Sequence, residues 1–291
     1  MKKRKKLFAG VCLLLFLCVF CFFQNNHLTV SSYVYESVKV KDELSGYRIV
    51  QVSDLHNKLF GANQSRLIQK IASCKPDLIV VTGDVVDSNH FDTAPAIMFL
   101  ENAGKIAPVY YVTGNHEYWL GREEREELFE QMKQAGVKCL FDEAVQILPL
   151  KEAFEKEPQP GFVLVGLDDK SLSGDIRKLP KQSGSLWENT DDGRLVLMLA
   201  HEPQYWKEYA KTGADLVLCG HAHGGQIVLP FVGGLVAPDQ GFLPEYTEGM
   251  HAEGDTTMIV SRGLGNSIIP VRLFNYPEIV CVELQSKLSE Q

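Results

Sequence analysis

The chain has 291 residues, of which 45% are hydrophobic, 23% charged and 10% aromatic. This length suits one large α/β domain or two modest ones. The composition excludes a disordered chain, a collagen-like repeat and a protein with many membrane spans. The formal net charge is −8, from 29 basic and 37 acidic residues. Because five of the basic residues precede the first apolar run, the rest of the chain is more acidic still, which argues against binding to nucleic acid.

A basic and then apolar segment begins the chain. Residues 2–6 are all Lys or Arg, and the 17 residues of 7–23 carry no charge. A helix of that length is about 25 Å long, near the lower limit for crossing a bilayer. The run is longer than the usual core of a signal peptide and no A-x-A pattern follows it, which favours a single-pass signal-anchor over a cleaved secretory signal. In either case the basic residues stay in the cytoplasm and the rest of the chain lies outside it.

Beyond this segment, short apolar runs alternate with segments of helical periodicity, which is typical of an α/β fold with helices covering the sheets. Continuous apolar runs predict buried strands, and apolar residues three and four positions apart predict helices. The predicted strands are 47–52, 78–81, 109–112, 162–167, 195–199, 216–219, 258–260 and 279–284, and the clearest helices are 64–74 and 121–135. We divide the chain into a basic stub with a membrane helix (1–27), a linker with a first strand (28–45), one α/β domain (46–286) and a tail (287–291).

The polar residues of interest stand directly after the predicted strands. In chain order they form the patterns D-x-H at 54–56, G-D-x-x-D at 83–87, G-N-H-E at 114–117, a single His201, and G-H-x-H at 220–223. Five of the eight histidines of the chain belong to this set. Because open α/β sheets bind ligands at the carboxyl ends of their strands, we expect these side chains to converge.

The chemistry of this set suits divalent metal ions. Imidazole, carboxylate and amide oxygen are ligands for zinc, manganese or iron, and the absence of Cys argues against a structural zinc site. Alternate residues past a strand can turn to one side, so D-x-H and H-x-H can each bring two side chains to one ion. With six or seven oxygen and nitrogen ligands, two adjacent ions fit better than one.

All five patterns, in this order, resemble the motifs of the calcineurin-like metallophosphoesterase superfamily. The resemblance implies a four-layer α/β/β/α sandwich across 46–286, with a dinuclear metal site at the carboxyl ends of the strands. The continuation G-H-x-H-G-G-Q at 220–226 resembles a bacterial, often membrane-associated subgroup. By this resemblance, one ion is held by Asp54, His56 and His223, the other by Asn115, His201 and His221, Asp84 bridges the two, and His116 acts on the substrate.

The resemblance also implies a phosphohydrolase that uses two divalent ions, manganese, zinc or iron. Two such ions clamp a phosphoryl group and activate a bridging hydroxide for in-line attack, while His116 stabilises the transition state or protonates the leaving oxygen. The anchor favours a phosphodiesterase or pyrophosphatase acting on a small-molecule or lipid-linked phosphate ester of the membrane or envelope. The alternatives are a phosphomonoesterase or nucleotidase, a UDP-diacylglucosamine-type pyrophosphatase, and a non-catalytic metal-binding scaffold protein of the envelope. The sequence does not define the oligomeric state.

Several residues near these motifs are expected in supporting roles. Asp87 and Glu117 are expected to form hydrogen bonds beside the site, with Glu117 orienting a histidine. The loops 151–192 and 224–252 are predicted to form the walls of the substrate site. The three remaining histidines are expected at the surface: His27, His90 and His251. A disulfide among the four cysteines beyond the apolar run remains open.

Overall fold

The computed structural model describes residues 2–148, 161–172, 193–266 and 271–287. The helices are α1 (Lys2–Asn26), α2 (Ser65–Ser73), α3 (Ala94–Ala103), α4 (Asn115–Trp119), α5 (Arg122–Gln134), α6 (Asp169–Leu172) and α7 (Trp206–Tyr209). The longer strands are β1 (Thr29–Ser37), β2 (Arg48–Val52), β3 (Leu78–Thr82), β4 (Val109–Val112), β6 (Glu143–Ile147), β7 (Phe162–Gly166), β8 (Val196–Leu199), β9 (Leu216–Cys219), β14 (Gly249–Glu253), β15 (Thr256–Val260) and β16 (Glu278–Ser286). The two-residue strands are β5 (Lys138–Cys139), β10 (Val228–Leu229), β11 (Gly233–Gly234), β12 (Val236–Ala237) and β13 (Gly241–Phe242).

Two six-stranded sheets form the centre of the fold. The first has the order β1-β16-β2-β3-β4-β5, and the second has the order β14-β15-β9-β8-β7-β6. In the first sheet β2 to β5 are parallel, whereas β16 runs antiparallel to β2 and parallel to β1. In the second sheet β7, β8, β9 and β15 are parallel, with an antiparallel strand at each edge. The buried parallel strands are the continuous apolar runs of the sequence, as expected for strands covered on both faces.

Three apolar clusters divide the fold into layers. One cluster packs α2, α3 and α5 against the outer face of the first sheet, and it includes Val50 and Leu67. The second fills the space between the sheets, where Val80 and Leu218 belong to opposite sheets. The third packs α6 and α7 against the outer face of the second sheet, through Trp206 among others. This arrangement confirms the predicted four-layer α/β/β/α sandwich.

The amino-terminal helix projects from this sandwich. Within α1, the segment Lys3–Asn26 is long and apolar enough to cross a membrane, and almost none of it is buried by the rest of the chain. Its last turn nevertheless contacts the sandwich, because the side chain of Gln24 is buried and accepts a hydrogen bond from the backbone N–H of Phe274 at 2.8 Å. The helix predicted from the basic and apolar segment is therefore present as a single candidate span.

The structure also bears on the segments that flank the sandwich. In the segment 28–45, expected to hold a linker and a first strand, the structure places β1, which pairs with β16 along its whole length. All seven cysteines lie within the described ranges, and none of them forms a disulfide. Much of the predicted loop 151–192 and the end of the tail, 288–291, lie outside the described residues.

Candidate dinuclear metal site

Five parallel strands end at the same region of the molecule, and each is followed within three residues by a predicted ligand. In the first sheet these strands are β2, β3 and β4, and in the second they are β8 and β9. The carboxyl ends of neighbouring parallel strands lie along one edge of a sheet, so the two sheets together bring these side chains into one pocket. All seven predicted ligands are buried there: Asp54, His56, Asp84, Asn115, His201, His221 and His223.

The first group of potential ligands contains Asp54, His56 and His223. The Nε2 atoms of His56 and His223 lie 3.2 Å apart. The Oδ1 atom of Asp54 lies 3.9 Å from Nε2 of His56 and 3.5 Å from Nε2 of His223. These three side chains offer ligand atoms within 4.8 Å of one another, a spacing that one metal ion can bridge.

The second group surrounds the imidazole of His201. Its Nε2 atom lies 3.1 Å from Oδ1 of Asn115, 3.1 Å from Nδ1 of His221 and 3.3 Å from Oδ2 of Asp84. The same Oδ2 atom of Asp84 lies 3.6 Å from Nε2 of His56, which belongs to the first group. Asp84 therefore stands between the two groups and can serve an ion in each.

The hydrogen bonds of two imidazoles fix which nitrogen atoms are free to bind a cation. The Nδ1 atom of His201 lies 2.7 Å from the carbonyl oxygen of Thr82, so Nδ1 carries the proton and Nε2 carries the lone pair. On His221, Nε2 lies 3.1 Å from a carboxylate oxygen of Asp239, which leaves the lone pair on Nδ1. With both imidazoles neutral, the lone pair on Nε2 of His201 therefore lies 3.1 Å from the oxygen of Asn115 and 3.1 Å from Nδ1 of His221. Such a group of acceptors fits a divalent cation.

The protonation preferences of the buried groups agree with this fit. Burial lowers the pKa of His56 to about 4 and holds the pKa of His223 well below its usual range, so both imidazoles are neutral near pH 7. Burial alone would raise the pKa of Asp84, but His201, His56 and His116 outweigh it and keep that pKa low. The carboxylate of Asp84 in turn raises the pKa of His201 against the effect of burial. The pair formed by Asp84 and His201 therefore attracts positive charge strongly.

The backbone of the site is held in an uncommon conformation. Five of the seven predicted ligands have positive φ angles, between 46° for His56 and 64° for His221. Non-glycine residues rarely adopt this region, and where they do the strain is often linked to function. Gly83, immediately before Asp84, has φ 84°, and a Cβ atom there would lie 2.6 Å from Nδ1 of His201. Only glycine fits at that position.

His116 is buried beside the two groups, and together with His56 and Asp84 it forms a further set whose ligand atoms lie within 4.8 Å of one another. Its ring packs 4.5 Å from that of His56 and 4.7 Å from that of Trp119, between centroids. The backbone N–H of Ser88 donates to Nδ1 of His116 at 3.2 Å, which places the proton of the neutral imidazole on Nε2. A carboxylate oxygen of Asp87 lies 3.5 Å from the same Nδ1 atom and accepts a hydrogen bond from the backbone N–H of Asn89 at 3.0 Å.

Glu117 does not orient a histidine, contrary to the expectation from the sequence. Its buried carboxylate accepts hydrogen bonds from the backbone N–H groups of Asp84 at 2.9 Å, Val85 at 2.9 Å and Gly114 at 2.7 Å. It thereby ties the loop after β3 to the loop after β4. Burial and the neighbouring carboxylate of Asp84 raise the pKa of Glu117 to about 7.

Three residues that support the site were not recognised in the sequence. Arg272 is fully buried, lies 3.3 Å from Nδ1 of His223 and donates to the carbonyl oxygens of residues 262 and 265. Asn275 donates to the carbonyl oxygen of His223 at 2.7 Å. The third is Asp239, the partner of His221. The sequence does single it out, because it is the only charged residue in the segment 224–244.

A cleft of about 580 Å³ opens beside the two groups of ligands. Asn115 and Asp239 line the part next to the metal-binding side chains, and Trp119, Tyr205 and Asp169 line other parts of it. A volume of this size is in the range that holds a small organic ligand. The cleft therefore has room for a small organic ligand beside the predicted ligands.

The sandwich and the paired His and Asp groups define a dinuclear metallohydrolase, and comparisons with known proteins name the family. The family model for calcineurin-like phosphoesterases matches residues 47–225. The chain is 30% identical over 274 residues to an uncharacterised metallophosphoesterase, YkuE of Bacillus subtilis, a match covering 91% of this chain and 88% of that protein. It is 32% identical over 250 residues to phosphodiesterase YaeI of Escherichia coli, covering 84% of each chain.

A third relative is a transmembrane protein with a metallophosphoesterase domain from Danio rerio, 28% identical over 261 residues, with 85% of this chain and 55% of that protein covered. Taken with the family match, these similarities show that the chain belongs to the calcineurin-like phosphoesterase family. It is a metal-dependent phosphoric ester hydrolase, and this family has a site for two divalent ions.

Proposed function

We propose that this chain is a dinuclear-metal phosphodiesterase or pyrophosphatase that acts on a phosphate ester at a membrane surface. The observation that carries this function is the position of Asp84, whose Oδ2 atom lies 3.6 Å from a ligand atom of one group and 3.3 Å from a ligand atom of the other. One carboxylate shared by two groups of ligands is the arrangement needed for two adjacent ions acting on one phosphoryl group.

We assign the predicted ligands to two ions according to the group in which each lies. Two divalent ions, when bound, would neutralise the charge of the phosphoryl group and activate water for attack on phosphorus. His116 lies beside the first group with its proton on Nε2, so it can donate to the substrate or to the departing oxygen. We assign Asp54, His56 and His223 to one ion, Asn115, His201 and His221 to the other, and Asp84 to both.

The cleft supports a substrate with an organic group on the far side of the phosphate. Trp119 and Tyr205 offer aromatic surface, and the buried carboxyl of Asp169 has an oxygen atom without a hydrogen-bond partner among the described residues. Burial raises the pKa of Asp169 to about 8, so near pH 7 it can donate a hydrogen bond to a substrate oxygen. The similarity to a named phosphodiesterase, at 32% identity, supports the diester preference.

The helix α1 supports a location at the membrane. Its apolar length suits a single span, and a relative named as a transmembrane protein carries the same type of domain. The basic residues at 2–6 would stay in the cytoplasm and leave the catalytic sandwich on the outer side. A lipid-linked or envelope phosphate ester is the substrate class that such a position brings within reach.

The test uses the full-length protein purified in detergent without chelators. Elemental analysis is expected to find two divalent ions per chain. With manganese present, kcat/KM for bis(p-nitrophenyl) phosphate is expected to exceed that for p-nitrophenyl phosphate by at least about tenfold. A preference for the monoester would overturn the diesterase proposal, and a chain that hydrolyses neither ester with manganese, zinc or iron would overturn the assignment of the site.

A further inference from the structure

The segment between the last metal-binding histidine and residue 245 forms an unusual apolar surface. Its strands β10 to β13 make two short hairpins that share Leu235. The backbone N–H of Leu235 donates to the carbonyl oxygen of Ile227, and the carbonyl oxygen of Leu235 accepts from the N–H of Leu243, each at 2.9 Å. We define the apolar hairpin surface as the exposed large apolar residues of these hairpins and of the adjoining segment. They are Leu229, Phe231, Val232, Val236, Phe242, Leu243 and Phe274.

This surface concentrates exposed apolar side chains that are otherwise sparse. Among the described residues outside α1, seven of the thirteen exposed large hydrophobic side chains belong to it. Between residues 224 and 244 the only charged residue is Asp239, and its carboxylate contacts His221. Exposed apolar residues concentrated in this way mark places where a protein contacts another molecule or a membrane.

Three bulky apolar residues of this surface have a strained backbone conformation. Phe231, Leu243 and Phe274 have φ angles of 66°, 53° and 55°. Large apolar residues avoid this left-handed region, and within the described chain these three are the only ones that adopt it. Such strain at exposed positions is retained where it serves an interaction.

The surface is continuous with the candidate membrane helix. The ring of Phe274 packs edge-on against that of Phe20 in α1, with centroids 5.9 Å apart. Its neighbour Leu273 accepts a hydrogen bond from the backbone N–H of Val228, the first residue of the hairpins, at 3.0 Å. Phe20 lies three residues before the end of the uncharged run, about 5 Å along a helix. If α1 spans a bilayer, Phe274 lies at the level where the acyl chains meet the headgroups.

We infer that the apolar hairpin surface docks into the outer layer of the same bilayer that α1 crosses. Elements that lie in the membrane interface bury their apolar face by about 5–10 Å, which matches the level of Phe274. Because Asp239 in the second hairpin contacts His221, this docking holds the metal site at the height of the lipid headgroups. The inference rests on the membrane location in the proposed function and deepens it, since it explains how a lipid-linked phosphate reaches the cleft.

The test places a tryptophan on the surface in the full-length protein. Phe231→Trp and Phe242→Trp are reconstituted into phosphatidylcholine vesicles with or without bromine on the acyl chains, which quenches fluorescence by contact. The matched control is Val38→Trp, because Val38 is also an exposed apolar residue. It follows the nine residues of β1 and therefore lies about 30 Å along the strand from the end of α1. The wild-type signal is subtracted, and thermal unfolding verifies that each variant is folded.

Brominated lipids are expected to reduce the fluorescence of the added tryptophan at least about twofold in Phe231→Trp and Phe242→Trp, with little change in Val38→Trp. Equal quenching in all three variants, or none at the hairpins, would overturn the inference. So would a second copy of the chain covering the surface, seen as a dimer in detergent that Phe231→Ser converts to monomer. Because quenching requires no hydrolysis, its outcome is separate from that of the ester assay.

Discussion

Asp84 is the residue on which both groups of metal ligands depend. Replacement by Asn keeps the shape of the side chain but removes the negative charge that attracts the ions. We expect Asp84→Asn to lower metal-dependent hydrolysis of the diester at least about 100-fold, while the folded state persists. Turnover and metal content are measured together, with Asp255→Asn as the control because Asp255 is exposed in the turn before β15. Near-normal turnover in Asp84→Asn would refute the bridging role.

Asp169 is expected to give the metal-free protein a characteristic pH dependence. Burial and the neighbouring Glu202 raise its pKa from 3.8 to about 8. Because the folded protein holds this proton more tightly than the unfolded chain does, the stabilising contribution is complete below about pH 4 and is lost as the pH rises through about 8. With chelator present, the contribution of Asp169 to the free energy of unfolding should therefore fall between about pH 5 and about pH 8, which is measured as the difference between the wild type and a variant that lacks this carboxyl.

The variant Asp169→Asn removes the titrating group and should flatten this dependence. Urea unfolding at a series of pH values measures the free energy for both proteins, and Asp255→Asn serves again as the control. Parallel curves for the wild type and Asp169→Asn would show that Asp169 does not carry the effect.

At the residue scale, the sequence predicts which side chains converge, but it does not predict the hydrogen bonds that hold them in place. The seven predicted ligands converge because each stands directly after a buried parallel strand, and strand ends are readable from apolar runs. Glu117 was assigned the wrong partner, since its bonds run to backbone N–H groups that carry no sequence signal. Arg272 was missed because its contacts depend on the path of a loop far along the chain.

Among the elements, the turn after β3 brings the backbone of Gly83 close to the imidazole of His201. We expect Gly83→Ala to lose metal binding, because the added methyl group would collide with the imidazole of His201. Gly136→Ala is the matched control: Gly136 also has a positive φ, of 80°, but its added methyl group would meet no atom within 4 Å. Both variants bear backbone strain of about 1–2 kcal/mol. Equal metal content in the two would show that the collision is relieved.

The predicted strands were those that the core buries on both faces, and the missed ones lie where such burial is absent. The strand β14 forms the edge of the second sheet and most of its residues are at least partly exposed, so it has no apolar run. The two-residue strands β10 to β13 are set by turns and glycines rather than by periodicity. Helices α2 and α5 agree with their predicted positions to within one residue at each end, because their apolar stripes face the first sheet.

Across the whole molecule, α1 and the sandwich are joined by specific hydrogen bonds. The side-chain oxygen of Asn25 accepts hydrogen bonds from the backbone N–H of Arg272 at 3.0 Å and from the side chain of Asn266 at 3.1 Å. Asn25→Ala should therefore lower the stability of the sandwich by about 1–3 kcal/mol, which for a chain of this size reduces Tm by roughly 2–10 °C.

The control is the neighbouring variant Asn26→Ala. Both asparagines donate from the side chain to the carbonyl oxygen four residues earlier in α1, but no described side-chain bond of Asn26 reaches the sandwich. Thermal unfolding of the full-length proteins in detergent compares the two. If both variants lower Tm equally, the effect belongs to the helix alone and α1 is not joined to the sandwich through Asn25.

The pairing of β1 with β16 constrains how the protein is made. Thr29 is paired with Glu278 and Ser37 with Ser286. During synthesis, β1 therefore cannot pair until β16, which is made much later, has left the ribosome. Until then β1 lacks its only neighbour in the sheet and β2 lacks one of its two, which leaves open edges that invite aggregation. Premature termination before β16 would therefore also disturb the candidate metal site, because β2 is the strand that positions Asp54 and His56.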